Sequence, residues 1–146
     1  MAKFKLSKRS KKHLEGVREE IKILINRVLD KSEHDFGIPQ YGGLRTPQQQ
    51  NNLYHTKVNG KRVTHLDGFK LISYHQSGNA FDIFIYDEHK ACWDCVHKYE
   101  ETAELFKAEF DCMKEEGLFE PDEVLIWGGD WIRFKDLPHF EIRNNS

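Results

Sequence analysis

A chain of 146 residues is the size of one ordinary domain and can bury a core without disulfide staples. Its 38% hydrophobic and 32% charged residues exclude global disorder, and no run of about 18 apolar residues is present to cross a bilayer. The formal net charge of −2 is unevenly spread, with Lys3, Lys5, Lys8, Arg9, Lys11 and Lys12 at the start and acids gathered between Glu100 and Glu123. A basic end can meet an anionic polymer. Here a solvated helix start is expected and no nucleic-acid partner, since aromatic interleaving for base stacking is absent beyond Phe4. No apolar h-region follows the basic residues, so synthesis in the cytosol without a signal peptide is expected, and no membrane insertion. Cys92, Cys95 and Cys112 are an odd number, unlike a secreted disulfide framework, and reduced thiols are expected.

In chain order, Leu14, Val17, Ile21, Leu24 and Val28 recur in steps of three and four. That spacing predicts one amphipathic helix from about His13, with Ser10 at its N-cap. Phe36-Gly37-Ile38-Pro39 reads as a short extended piece on a sheet edge, where proline is tolerated. Thr46-Pro47-Gln48-Gln49 predicts a helix start, with Thr46 as N-cap, Pro47 in the first turn and Gln49 closing a capping box; the helix should end near Tyr54 or Thr56. Asn59-Gly60 signals a turn, and the stretch to Ile72 reads as a loop. Ala80 to Tyr86 alternates as one strand, with Phe81, Ile83 and Ile85 on one face and Asp82 on the other. Tyr99, Ala103, Phe106, Phe110 and Met113 predict a second core helix stopped at Gly117. Val124 to Trp127 reads as a buried strand entering a turn at Gly128-Gly129, and His139 to Arg143 alternates, with His139 and Glu141 sharing a face. Helices and strands are segregated, so the expected class is α+β, with a small antiparallel sheet packed with helices.

Two stretches carry metal-ligand chemistry. His75 and Asp82 flank Gly78, which permits a bend that other residues resist, and His139 follows Asp136-Leu137-Pro138 near the other end. Catalytic zinc commonly takes three protein ligands from His and Asp/Glu and leaves a fourth position to water. His75, Asp82 and His139 are such a set, for one Zn2+ per chain. Asp136 lies close to His139 in sequence on a stretch stiffened by Pro138, as a general base beside the metal requires; taken alone it would read as a turn residue. Arg45 sits one position before the helix cap, which fixes where it points.

These residues resemble a known family. Gly43-Leu44-Arg45-Thr46 with Gln50, then Ser73-x-His75-x-x-Gly78-x-Ala80-x-Asp82, then Trp127-Gly128-Gly129-Asp130-Trp131 and Asp136-Leu137-Pro138-His139-Phe140, occur in the order found in zinc D-alanyl-D-alanine carboxypeptidases and L-alanyl-D-glutamate peptidases. The resemblance implies a hedgehog/DD-peptidase-like fold around a single zinc site. It places metal ligands at His75, Asp82 and His139, the catalytic carboxylate at Asp136, and substrate-binding groups at Arg45 and Ser73. Asp rather than Glu at position 136, with the Trp127–Trp131 run, is more similar to the phage endolysins that cleave L-alanyl-D-glutamate bonds. The implied activity is hydrolysis of peptidoglycan stem peptides by a monomer of one domain, residues 1–146, without a separate wall-binding domain, reaching the wall after release from the host cytoplasm. D-Alanyl-D-alanine carboxypeptidase or dipeptidase activity is the alternative, and a non-catalytic binding module, the use to which hedgehog signalling domains put a similar fold, is a third reading. Cys92-x-x-Cys95 between His89 and His97 departs from the family pattern; free thiols in a loop at a helix start are expected, with a second zinc site or a redox pair as alternatives.

Overall fold

The apolar stripe expected from Leu14 to Val28 is buried as predicted, but it is not one helix: Ile21, Leu24 and Val28 lie on a helix, whereas Leu14 and Val17 lie in the break before it. In the computed structural model, which describes residues 4–145 and so leaves Lys3 of the basic N-terminus outside, α1 spans Lys8–His13 and α2 spans Glu19–Lys31. Gly16, at a φ of +84°, takes a left-handed conformation that ends any continuous helix. The N-cap is therefore Ser7, whose side chain accepts from Ser10 N; Ser10 itself is buried and its hydroxyl accepts from Ile38 N at 2.9 Å. At the break, Arg18 N donates to Gly78 O at 3.1 Å, tying the start of α2 to the bend between His75 and Asp82.

β1 (Phe36–Gly37) is the edge piece expected before Pro39, and α3 (Pro47–Tyr54) begins with the anticipated Thr46–Gln49 capping box and ends at Tyr54. The Asn59-Gly60 turn closes a two-stranded hairpin of β2 (Lys57–Val58) and β3 (Lys61–Arg62), and both turn residues have positive φ. The run from Ala80 to Tyr86 is two strands rather than one. β4 (Ala80–Asp82) joins one sheet and β5 (Phe84–Asp87) another, with Ile83 N donating to Pro138 O at 2.9 Å where the chain changes sheets. Phe81, Ile83 and Ile85 are nevertheless all buried, as the alternation requires.

β6 (Lys90–Cys92) pairs with β5, and α4 (Val96–Glu115) follows, ending before Gly117 at a φ of +83°. Cys92 and Cys95 form a disulfide, in place of the expected free thiols, because the end of β6 and the start of α4 fold back to bring their Cα atoms within 6.0 Å. Cys112 is free and exposed. β7 (Glu123–Trp127) and β8 (His139–Asn144) complete an antiparallel sheet in the order β4-β8-β7, beside the β1-β5-β6 sheet and the hairpin. β7 is an edge strand, so only Trp127 of it is fully buried, not the whole run. Among the described residues there are three small sheets instead of one, all antiparallel, within the expected α+β class.

The core lies where α2 and α4 pack against these sheets. Ile21, Leu24 and Val28 meet Ala103, Phe106 and Met113, and Phe81 stacks on Phe140 at 5.1 Å between ring centroids. No described helix is long and apolar enough to cross a membrane.

Gly78 sits at a φ of +77°, and a Cβ there would approach Gly16 O to 2.8 Å. Gly78→Ala should therefore destabilise the fold by more than about 1 kcal/mol, read as a lower midpoint in urea unfolding.

Candidate metal centre

His75 lies in a 3₁₀ turn, Tyr74–Ser77, capped on its N-terminal side by Ser73 and closed by Gly78. The Ser73 hydroxyl accepts from His75 N at 3.2 Å, and Gln76 completes the box by accepting from Ser73 N. Asp82 and His139 face each other across the β4–β8 pair, directly in register. Loop and sheet thus bring one ligand atom each from His75, Asp82 and His139 to within 4.8 Å of one another. Among the described residues no other such group of His, Cys, Asp or Glu occurs, and Cys92 and Cys95 belong to none.

The tautomers follow from the outer partners. His75 Nδ1 donates to Gly43 O at 2.8 Å, which leaves Nε2 facing Asp82 at 3.3 Å and His139 at 3.2 Å. His139 Nε2 is 2.6 Å from Glu141 Oε1, which leaves Nδ1 facing Asp82 Oδ1 at 3.0 Å. Glu141 in turn accepts from Arg143. Two imidazole nitrogens and one carboxylate oxygen converge, each held from behind by a second group, a donor set that fits zinc. The sequence placed Glu141 on the face of His139 but assigned it no role. Its signal was the two-residue spacing of an acid from a candidate ligand in a strand.

Arg45 lines the same cleft but is already engaged. It donates to Asp82 Oδ2 at 2.9 Å, to Gln50 Oε1 at 3.0 Å and to Tyr41 O at 2.6 Å. Gln50, fully buried, passes the tether on to Leu66 O at 2.9 Å in the loop after the hairpin. The guanidinium therefore holds the Asp82 carboxylate as well as facing the cleft. Ser73 also lines the cleft, although its hydroxyl caps the turn.

Asp136 reaches the cleft on the loop between β7 and β8. Gly128 explains the tight turn before it: a Cβ there would meet Asp136 O at 2.3 Å, and Gly128 O accepts from Asp136 N at 3.0 Å. Trp127 Nε1 donates to Leu137 O at 2.8 Å from the other side. The Trp127-Gly128-Gly129 run thus clamps the segment that carries the carboxylate. His65 also lines the cleft, its ring 4.1 Å from that of Phe134, whereas His34 is held by Glu101 outside it.

Electrostatics separate the two aspartates. Burial opposes the charged form of Asp82, but His75 and His139 outweigh it and hold the carboxyl well below its usual value. Burial raises Asp136, and the like charge of Asp82 adds to that, to about 6. Burial lowers His75. His139 goes the other way: burial opposes its charge, but bonds to Asp82 and Glu141 raise it to about 9. One carboxylate is thus kept as a permanent anion beside the imidazoles while the other can take a proton near neutrality, which suits a ligand and a base respectively. These groups sit in a cleft of about 810 Å³.

A family model described as phage L-alanyl-D-glutamate peptidase matches residues 1–144. Among solved structures, the crystal structure of the Serratia marcescens L-Ala D-Glu endopeptidase ChiX is similar, at 25% identity with a TM-score of 0.70, covering 97% of this chain and 92% of that one.

Two measurements address the centre. Glu141→Gln should weaken zinc binding by about 10–100-fold in a competition titration with a chelating dye, while His75→Ala should abolish stoichiometric zinc. In the metal-free protein, Asp136 should lose its proton as pH rises through about 6 rather than near 3.8, seen in the carboxyl carbon shifts by NMR.

Proposed function

The chain belongs to the phage L-alanyl-D-glutamate peptidase family and acts on peptidoglycan as an endopeptidase, and we propose that it does so as a zinc enzyme that cuts the L-alanyl-D-glutamate bond of stem peptides. The observation that carries the zinc reading is the convergence of His75 Nε2, Asp82 and His139 Nδ1, each backed by its own partner, in the cleft that Asp136 also lines.

A zinc ion held by these three residues supplies a Lewis acid, which lowers the pKa of water and polarises a carbonyl. Asp136 acts as general base: its carboxylate, raised by burial into a range close to neutrality, takes a proton from the attacking water. It then delivers that proton to the leaving nitrogen, the amine of glutamate. Arg45 holds Asp82 and presents positive charge to the oxygen of the scissile carbonyl as that oxygen becomes negative. Ser73 fixes the turn that aims His75 and offers its oxygen at the wall of the cleft. Glu141 holds the His139 ring so that Nδ1 faces inward.

D-Alanyl-D-alanine carboxypeptidase activity, the runner-up from the motifs, would release a terminal D-alanine. The family model and the Serratia endopeptidase both favour the L-Ala–D-Glu bond. We further propose that the protein is an endolysin acting on the wall after release from the host cytoplasm.

Mass spectrometry of digested muropeptides should show new termini at L-alanine and at glutamate. Release of D-alanine alone would reject the bond assignment. Asp136→Ala should lower kcat by about 10²–10⁴-fold while keeping one zinc per chain and an unchanged melting midpoint; clearing of purified peptidoglycan at the wild-type rate by that variant would remove this mechanism.

A further inference from the structure

Several cations of this protein are matched by acids. Arg18 pairs with Glu123, Arg27 with Glu116, Lys31 with Glu109, Lys98 with Asp87, Lys107 with Asp130 and Arg143 with Glu141. Arg45, inside the cleft, is bound to Asp82. Three further cations line the cleft, Arg62, Arg133 and Lys135, and none of them has a carboxylate partner among the described residues. Arg62 is held all the same, by donation to Tyr54 O at 2.7 Å and by stacking 4.1 Å over the Tyr54 ring. Arg133 and Lys135 flank Phe134, whose φ of +55° and ring contact with His65 give the loop a defined course. Unmatched cations lining one cleft focus a potential that attracts anions.

The chemistry of the proposed substrate says which anion. Glutamate has two carboxyl groups, and only one can carry the peptide onward, so the other remains a free carboxylate. It belongs to the residue that supplies the leaving nitrogen, and therefore lies within a few bonds of the atom to which Asp136 must deliver a proton. Groups on the Asp136 loop are the ones placed to meet it. Resting on the L-alanyl-D-glutamate reading above, we propose that Arg133 and Lys135 form a carboxylate-binding subsite that reads the free acid of the glutamate on the leaving side of the scissile bond. Arg133 brings a planar fork that matches a carboxylate with two parallel donors, Lys135 brings a point charge beside it, and Arg62 adds to the field from the hairpin.

The test uses two synthetic peptides, L-alanyl-D-glutamyl-L-lysine and the same peptide with the free glutamate acid converted to its amide. The zinc-loaded wild-type enzyme should prefer the acid by about tenfold in kcat/KM, roughly 1.4 kcal/mol. Arg133→Ala with Lys135→Ala should lose that preference, mainly through a higher KM for the acid, and Arg133→Lys with Lys135 intact should restore part of it. Lys57→Ala with Lys61→Ala removes the same charge from outside the cleft lining and should leave the preference intact. A double Arg133/Lys135 variant that still discriminates like wild type would overturn the subsite. An equal loss in the Lys57/Lys61 control would overturn it in favour of steering by overall charge. Cleavage of neither peptide at the alanine–glutamate bond by the wild-type enzyme would instead remove the bond assignment, and the subsite with it.

Discussion

The antiparallel register of β4 on β8 is the constraint on which the rest of the site depends. Residues paired across such a ladder share a face, so Asp82 and His139 meet directly, and Ala80, small, stands opposite Glu141 and leaves it room to reach back to the His139 ring. On the other face Phe81 pairs with Phe140, both fully buried. A slip of one residue would turn the ligands into the core and the phenylalanines into the cleft. Burying each phenylalanine contributes about 1.5–3 kcal/mol, so the apolar side of the sheet holds the register that its polar side uses.

A second layer of support comes from segments far away in sequence. Asp82 N donates to Gly42 O at 2.7 Å, Arg45 N to His75 O at 3.1 Å, and His75 Nδ1 to Gly43 O at 2.8 Å, so the stretch before α3 is stitched along both ligand-bearing segments. Gly43 lies so close to the end of α1 that a Cβ would meet His13 O at 2.1 Å. Helix α1, which carries no functional residue, thereby fixes the height of the strap that orients His75. The two helices on either side of Gly16 have distinct tasks: α1 supports Gly43, and the start of α2 supports Gly78 through Arg18 N.

Charge inside the cleft is arranged by burial rather than by number. Asp82, Asp136 and Glu141 all face it, yet Asp82 and Glu141 are consumed by histidine and arginine partners, while Asp136 keeps a carboxyl that burial and the neighbouring Asp82 make basic. Breaking one member of such a network leaves a buried charge unmatched, which is far more costly than losing an exposed pair. Arg45 joins the two regimes, since its tie to Gln50 couples the ligand carboxylate to α3 and, through Leu66, to the loop that forms another wall of the cleft.

Local rules written in the residues themselves were legible without coordinates. The Thr46–Gln49 capping box, the stop at Gly117, the burial of Leu14 through Val28, and the inward alternation of Phe81, Ile83 and Ile85 follow from propensity and period, which act over a few residues. The convergence of His75, Asp82 and His139 was legible too, because spacing around Gly78 and next to Pro138 constrains which side chains can turn inward. Features that depend on what lies across a gap in sequence were not. The split at Ile83 is set by Pro138 O, the break after the first helix by Gly16 fitting against Gly78, and the tie of Arg45 to Asp82 by a strand 37 residues away. Sequence alone determined which residues are candidates for the site, since residue type and short-range spacing decide that. Tertiary structure alone decided that His75 Nε2, Asp82 and His139 Nδ1 are the atoms that converge, since that depends on the partner holding the other side of each.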